Sequence, residues 1–134
     1  MISLNQAHGL ANTLPLFAMK IPAGPPALAE DYIEDRIDLS DYLAPHPDTS
    51  FLIRVEGESM VDAGIHPGDL LVVERGPEAK NGDIVIAQVG EQFTVKQFRR
   101  HRGNLWLVPA NKDCLPTLQD FSVWGVVRYS IHKL

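Results

Sequence analysis

Cysteine is almost missing from this 134-residue chain: Cys114 is its single representative. One thiol excludes an internal disulfide and a zinc site built on cysteines, and it suits a reducing compartment. No stretch of 18 apolar residues occurs, so no transmembrane helix is expected. Neither Lys nor Arg precedes Lys20, which is unlike the basic start of a secretory signal. These absences together read as a cytoplasmic protein. Internal repeats and low-complexity tracts are also lacking. The composition, 45% hydrophobic and 22% charged, excludes wholesale disorder and fibrous repeats. The length fits one domain, able to bury roughly two-thirds of the surface that the unfolded chain exposes.

Clustered positive charge is scarce too. The formal net charge is −5. Glu30, Asp31, Glu34, Asp35, Asp38 and Asp41 stand against Arg36 alone, so the segment from Glu30 to Asp41 carries the whole surplus. A protein that grips nucleic-acid phosphates should cluster Lys and Arg. The basic run Arg99, Arg100, His101 and Arg102 sits at an expected hairpin tip and reads as a solvated turn or a protein contact. Direct sequence-specific nucleic-acid binding is therefore not expected.

Two textures divide the chain. Residues 1–48 hold six of the ten prolines (Pro15, Pro22, Pro25, Pro26, Pro45 and Pro47) together with the acidic surplus. Proline removes N–H donors and breaks helices, so an extended arm is expected there, without a compact sheet or a long helix. Ile33 and Ile37, spaced i and i+4, allow one short amphipathic helix within Tyr32–Leu43. Asp38 and Asp41 toward its end would oppose the helix dipole. Residues 49–134 read differently. Short segments rich in β-branched and aromatic residues (Phe51–Val55, Leu70–Val73, Asp83–Val89, Gln92–Phe98, Leu105–Val108 and Ser122–Ile131) alternate with turn signals such as Pro67-Gly68-Asp69 and Asn81-Gly82. A mostly β, compact antiparallel domain with a partly helical N-terminal arm is the expected architecture.

Chemistry concentrates at Gly57-Glu58-Ser59-Met60, between two expected strands. A serine just after a glycine turn can face a cleft together with local backbone N–H groups able to stabilise an oxyanion. The plainer reading makes Ser59 the N-cap of a short helix Met60–Ala63. The esterase pattern Gly-x-Ser-x-Gly is not met, since Val61 replaces the second glycine. A nucleophilic serine needs a base. His8, His46, His66, His101 and His132 lie in expected loops or near a terminus, none beside an orienting carboxylate, so a Ser-His-Asp triad is not supported. They also lack the paired spacing of a metal site, and neither metal nor cofactor is expected.

Lys96 is the unusual cation, set within the apolar strand Phe93-Thr94-Val95-Lys96-Gln97-Phe98. Period-2 alternation places it on one face with Thr94 and Phe98. An exposed lysine, with a pKa of about 10.4, is almost wholly protonated at neutral pH. Burial disfavours the ammonium, and a desolvated amine can act as general base to a serine. The alternative is a lysine on the open face of the sheet.

Taken in order, Gly57-Glu58-Ser59-Met60, Pro67-Gly68-Asp69-Leu70-Leu71-Val72-Val73, Gly82-Asp83-Ile84-Val85-Ile86-Ala87 and Phe93-Thr94-Val95-Lys96 resemble the self-cleaving serine–lysine peptidase family of LexA and UmuD. Upstream, Ile21-Pro22-Ala23-Gly24 is similar to that family's Ala-Gly cleavage site. Asp31-Tyr32 and Arg36-Ile37-Asp38-Leu39 are similar to the UmuD branch and its plasmid-borne members. The resemblance covers roughly residues 20–130. It implies Ser59 as nucleophile, Lys96 as general base, Ala23–Gly24 as the scissile bond, and an oxyanion hole from the backbone N–H of Ser59 with that of Glu58 or Met60. It further implies a homodimer, a RecA–single-stranded DNA filament as co-protease, and a UmuC-like Y-family error-prone polymerase as partner of the cleaved form in translesion synthesis during the SOS response. Pro25 and Pro26 depart from the family pattern, where an aromatic residue often follows the bond.

Three other readings compete. A LexA-type repressor needs a helix-turn-helix domain before the cleaved bond, which some twenty residues cannot supply. A membrane signal peptidase, also built on Ser and Lys, needs a hydrophobic anchor. A non-catalytic β binding module would use Ser59 as a cap and leave Lys96 in solvent.

Overall fold

The computed structural model describes residues 9–26, 32–114, 116 and 120–134. His8, Glu30 and Asp31 of the sequence reading lie outside them. The chain divides into two compact units, residues 1–45 and 46–134.

In the first unit, β1 (Leu14–Phe17) pairs antiparallel with β2 (Ile33–Ile37), from Leu14 opposite Ile37 to Leu16 opposite Asp35, with a register shift that sets Phe17 opposite Ile33. The pairing continues where the Ala18 N–H donates to the Tyr32 carbonyl at 2.9 Å. Arg36 adds a cross-strand tie, its Nε donating to Thr13 Oγ1 at 2.9 Å. This corrects two sequence expectations. The i, i+4 isoleucines lie on a strand, and the proline-rich arm does form a small sheet. Pro15 is tolerated because a two-stranded ribbon consists only of edge strands, where a missing N–H breaks no central ladder. A helix does follow, α1 (Leu39–Leu43), but it starts later than expected. Asp38 is thereby its N-cap, accepting a hydrogen bond from the Asp41 N–H at 3.2 Å. Both carboxylates then sit at the positive end of the helix dipole, the reverse of the clash expected from a start near Tyr32.

The second unit is one six-stranded antiparallel sheet: β3 (Ser50–Arg54), β4 (Leu70–Glu74), β5 (Ile84–Val89), β6 (Gln92–His101), β7 (Asn104–Val108) and β8 (Ser122–Ile131). Their spatial order is β3-β4-β8-β5-β6-β7, so β8 returns from the end of the chain to lie between β4 and β5. The β5 side chains alternate between two apolar clusters. Ile84 and Ile86 join Val55, Met60, Ile65, Leu71 and Val73, whereas Val85 and Ala87 pack with Phe98 and Leu107. Burial of both faces explains why β5 reads as an unbroken apolar run. The β8 strand bulges against both neighbours: its register slips opposite Val72/Val73 and opposite Ile86/Ala87. Such bulges re-aim side chains. Trp124, at the second slip, meets Phe51 with ring centroids 5.5 Å apart and Phe93 edge-on at 6.3 Å.

Among the described residues no helix is long and apolar enough to cross a membrane.

Candidate active site

The β3 strand stops at Arg54, and the chain turns through Gly57, whose φ of +86° is a left-handed value that a side chain would strain. Glu58 and Ser59 follow. Met60, only 2% exposed, then plugs the core and anchors the residue after the serine. A single 3-10 turn, Val61–Ala63, ends at Gly64 with φ +79°. Its N-cap is Met60, with no side-chain capping bond. Ser59 is therefore not the helix cap of the plainer sequence reading, and its hydroxyl is left for other work.

That hydroxyl meets Lys96. The Lys96 Nζ donates to Ser59 Oγ at 3.0 Å, to Thr94 Oγ1 at 2.9 Å and to the Val95 carbonyl at 3.2 Å. Thr94 is the i−2 neighbour on the same strand face, as the period-2 alternation requires. β6 carries the amine across from Val85 of β5, itself completely buried. Half-burial removes water from the ammonium and pushes its pKa below the ordinary value of 10.5, with Cys114 as a smaller opposing influence. The open-face alternative for Lys96 fails on this geometry.

Three donated bonds use all three protons of an ammonium; a neutral amine has two to place. A carbonyl oxygen can only accept, so Val95 must take one N–H; Thr94 takes the second. Loss of the third proton would leave a lone pair directed at Ser59 Oγ, 3.0 Å away. The arrangement is chemically able to draw a proton from the hydroxyl.

The nucleophile segment is fastened to the stretch after β7. The Asp62 N–H donates to the Ala110 carbonyl at 2.7 Å, and the Lys112 N–H to Asp62 Oδ2 at 3.1 Å. Asn111 Nδ2 donates to the Glu58 carbonyl at 2.9 Å. Beside Ser59 opens a cleft of about 530 Å3 lined by Ile53, Val55, Met60, Ile86, Phe93, Val95 and Trp124 among others, hence mainly apolar. Ala23 and Gly24 belong to the first unit and are exposed, in a bend. The N–H groups of Glu58, Ser59 and Met60 donate to no group of the described residues.

Sequence reasoning overlooked one histidine environment. His132 Nδ1 lies 2.6 Å from Asp69 Oδ1, and Asp69 is buried. The Asp69 carboxyl is held below its ordinary value, chiefly by the His66 N–H donating to it, against the opposing effect of burial, and further by His132 and Ser130. The two partners are 63 residues apart, so no local pattern could announce them. It is not a triad, because Ser130 Oγ donates to the carboxylate rather than facing the imidazole. Among the described residues, no cluster of three or more His, Cys, Asp or Glu side chains could hold a metal ion.

Comparison with known proteins gives the family of the chain. The sequence profile of Peptidase S24-like proteins matches residues 15–128, a range that includes Ala23, Gly24, Ser59 and Lys96. The chain belongs to the Peptidase S24-like family. It is 40% identical over 124 residues to Protein SamA of Salmonella typhimurium, covering 91% of this chain and 87% of that protein. Protein MucA of Escherichia coli is 37% identical over 125 residues, 90% of this chain and 85% of its own. The LexA repressor of Bordetella petrii is 42% identical over 118 residues, 84% of this chain, and the chain spans about half (51%) of that repressor. Membership in the S24-like family and the mostly β antiparallel fold agree with the resemblance read from the motifs.

Within this S24-like site, Thr94 and Asn111 were not singled out as functional. Thr94 was legible in principle, as the i−2 neighbour of a strand lysine. Asn111 carried no local signal, since its partner lies 53 residues earlier.

Proposed function

We propose that this chain is a serine peptidase acting on itself, cutting its Ala23–Gly24 bond with Ser59 as nucleophile and Lys96 as general base. The observation that carries the reading is the 3.0 Å separation of Lys96 Nζ and Ser59 Oγ, with the other two Nζ bonds satisfied by neutral oxygens. Neutral Nζ takes the hydroxyl proton as Oγ bonds to the Ala23 carbonyl carbon. The carbonyl oxygen becomes an oxyanion, stabilised by the Ser59 N–H and that of Glu58 or Met60. Collapse breaks the C–N bond as the Lys96 ammonium returns the proton to the Gly24 nitrogen. Water, deprotonated by the same amine, then bonds to the acyl carbon; the C–Oγ bond breaks and the Lys96 ammonium returns the proton to Ser59 Oγ. Ile21-Pro22-Ala23, on the acyl side, is apolar like the cleft beside the serine. Pro25 stiffens the chain after the bond but leaves the Gly24 nitrogen an ordinary amide.

The same reading extends to biology through the family resemblance. A RecA–single-stranded DNA filament stimulates the cut, contributing no catalytic residue. The shortened homodimer serves as accessory subunit of a UmuC-like Y-family polymerase in SOS mutagenesis. A cytoplasmic location fits these roles.

Incubation of purified protein at a pH of about 10, where lysine deprotonates readily, should release a 111-residue product (134 − 23) beginning at Gly24. The product should be absent from Ser59→Ala and from Lys96→Ala. A product persisting in Ser59→Ala would mark a contaminating protease and refute the assignment.

A further inference from the structure

We propose that Asn111 is a positioning residue whose side-chain amide grips the Glu58 carbonyl and thereby aims the Ser59 N–H as an oxyanion donor; this rests on the reading of Ser59 as nucleophile. Both ends of the amide are committed. Nδ2 donates to the Glu58 carbonyl at 2.9 Å, and Oδ1 accepts from the Asp113 N–H at 3.0 Å. Flipping the amide would set donor against donor and acceptor against acceptor, so its orientation is fixed.

The Glu58–Ser59 peptide is planar and trans, so its N–H points opposite to its carbonyl. Holding the carbonyl toward the segment after β7 holds the Ser59 N–H away from it. That N–H donates to no group of the described residues. Gly57 and Ser59 line the apolar cleft, whereas Glu58 between them does not. An N–H on the residue that supplies the nucleophile lies close to the oxygen of any carbonyl its own Oγ attacks. Gly57, with its permissive backbone, would otherwise let this peptide swing and bring the carbonyl oxygen in, where it would repel an oxyanion. Among the described residues, the only other donor to the Glu58 carbonyl is the Val61 N–H, at a long 3.3 Å.

A purely structural role is already filled. The Asp62 N–H to Ala110 bond (2.7 Å) and the Lys112 N–H to Asp62 bond (3.1 Å) fasten the two segments without Asn111. Removing the Asn111 amide should therefore affect the reacting peptide more than the fold.

The test follows first-order self-cleavage of the full chain from about pH 7 to pH 11, a range that brackets lysine titration, with thermal melts alongside. Asn111→Ala should lower the high-pH plateau rate about 10- to 100-fold, the cost typical of a misaimed reacting group. Its pH midpoint, set by Lys96, should stay that of wild type, as should its melting temperature. Asn111→Asp keeps the shape and the acceptor for the Asp113 N–H but faces the Glu58 carbonyl with an acceptor, and its plateau should fall at least as far. Plateau rates within twofold of wild type in both variants, with Ser59→Ala inactive, overturn this inference while leaving the dyad intact. A moved pH midpoint in Asn111→Ala, or collapse of the thermal transition in both variants, overturns it as well, because Asn111 then acts on Lys96 or as a structural tie. Wild type that shows no Ser59-dependent cleavage sinks the dyad and this inference together.

Discussion

The two units of this chain use apolar residues in opposite ways. In the first, Leu14, Leu16, Phe17, Ile21 and Ile33 all remain exposed, and the sheet consists of two short strands joined by backbone bonds, with an arginine tie between Arg36 and Thr13. In the second, Leu71, Val73, Val85, Ala87 and Val126 are essentially removed from water, and six strands share two clusters. A two-stranded ribbon without buried side chains is marginal by itself, whereas a two-faced sheet resists local opening. The contrast suits a molecule whose proposed scissile bond must be able to leave its resting conformation while the groups that cut it stay fixed. Ala23–Gly24 lies in the loosely held unit, and Ser59 and Lys96 in the tightly packed one.

Several substitutions break or sharpen that contrast. The largest effect is expected for Lys96→Arg, which keeps the charge but cannot lose its proton. Fragment release should fall by about 10^4-fold or more, the scale on which removal of a catalytic base is felt. Retained cleavage in a gel or mass-spectrometric time course would exclude the general-base role. Next comes Gly24→Trp. Nothing lies within 4 Å of a Cβ built at Gly24, so the resting arm should accept the side chain. Processing should nevertheless stop, because a bulky group beside the bond keeps the carbonyl from reaching Ser59 Oγ. Unchanged processing would move the cut elsewhere.

Stability tests come third. Leu71→Ala, at a fully buried position, should cost about 2–5 kcal/mol in urea unfolding. Leu16→Ala, at a side chain 43% exposed, should stay within about 0.5 kcal/mol. Equal losses would erase the distinction between the units. The smallest effect is thermodynamic and belongs to Lys96. Burial lowers its pKa from 10.5, so between the folded value and 10.5 the unfolded chain binds more protons and stability rises with pH. Lys96→Met lacks this slope and should melt at a higher temperature than wild type below that window. Parallel melting curves across pH would show that the amine is not penalised.

Much of the second unit was legible because its signals are local. Strands β3 to β8 follow β-branched runs bounded by turn residues, and alternation alone put Thr94 beside Lys96. The first unit misled for an equally physical reason. Ile33 and Ile37 fit a helix period, but pairing with Leu14–Phe17, some twenty residues away, decided for a strand. That shift moved the helix start past Asp38 and turned two unfavourable charges into favourable ones. The Asp69–His132 pair and the Asn111–Glu58 bond escaped for want of any short-range pattern.

By itself the sequence determined the chemistry available: a serine after a glycine turn, a lysine inside an apolar strand, and a small-residue bond upstream, in an order that resembles one peptidase family. Only the tertiary structure decided that Lys96 Nζ and Ser59 Oγ meet at 3.0 Å, that water is partly withdrawn from the amine, and that Ser59 caps no helix. Residue types and alternation act over a few positions and are written in the chain. Desolvation and hydrogen-bond distance depend on the packing of segments 37 residues apart, and exist only once the sheet has closed around them.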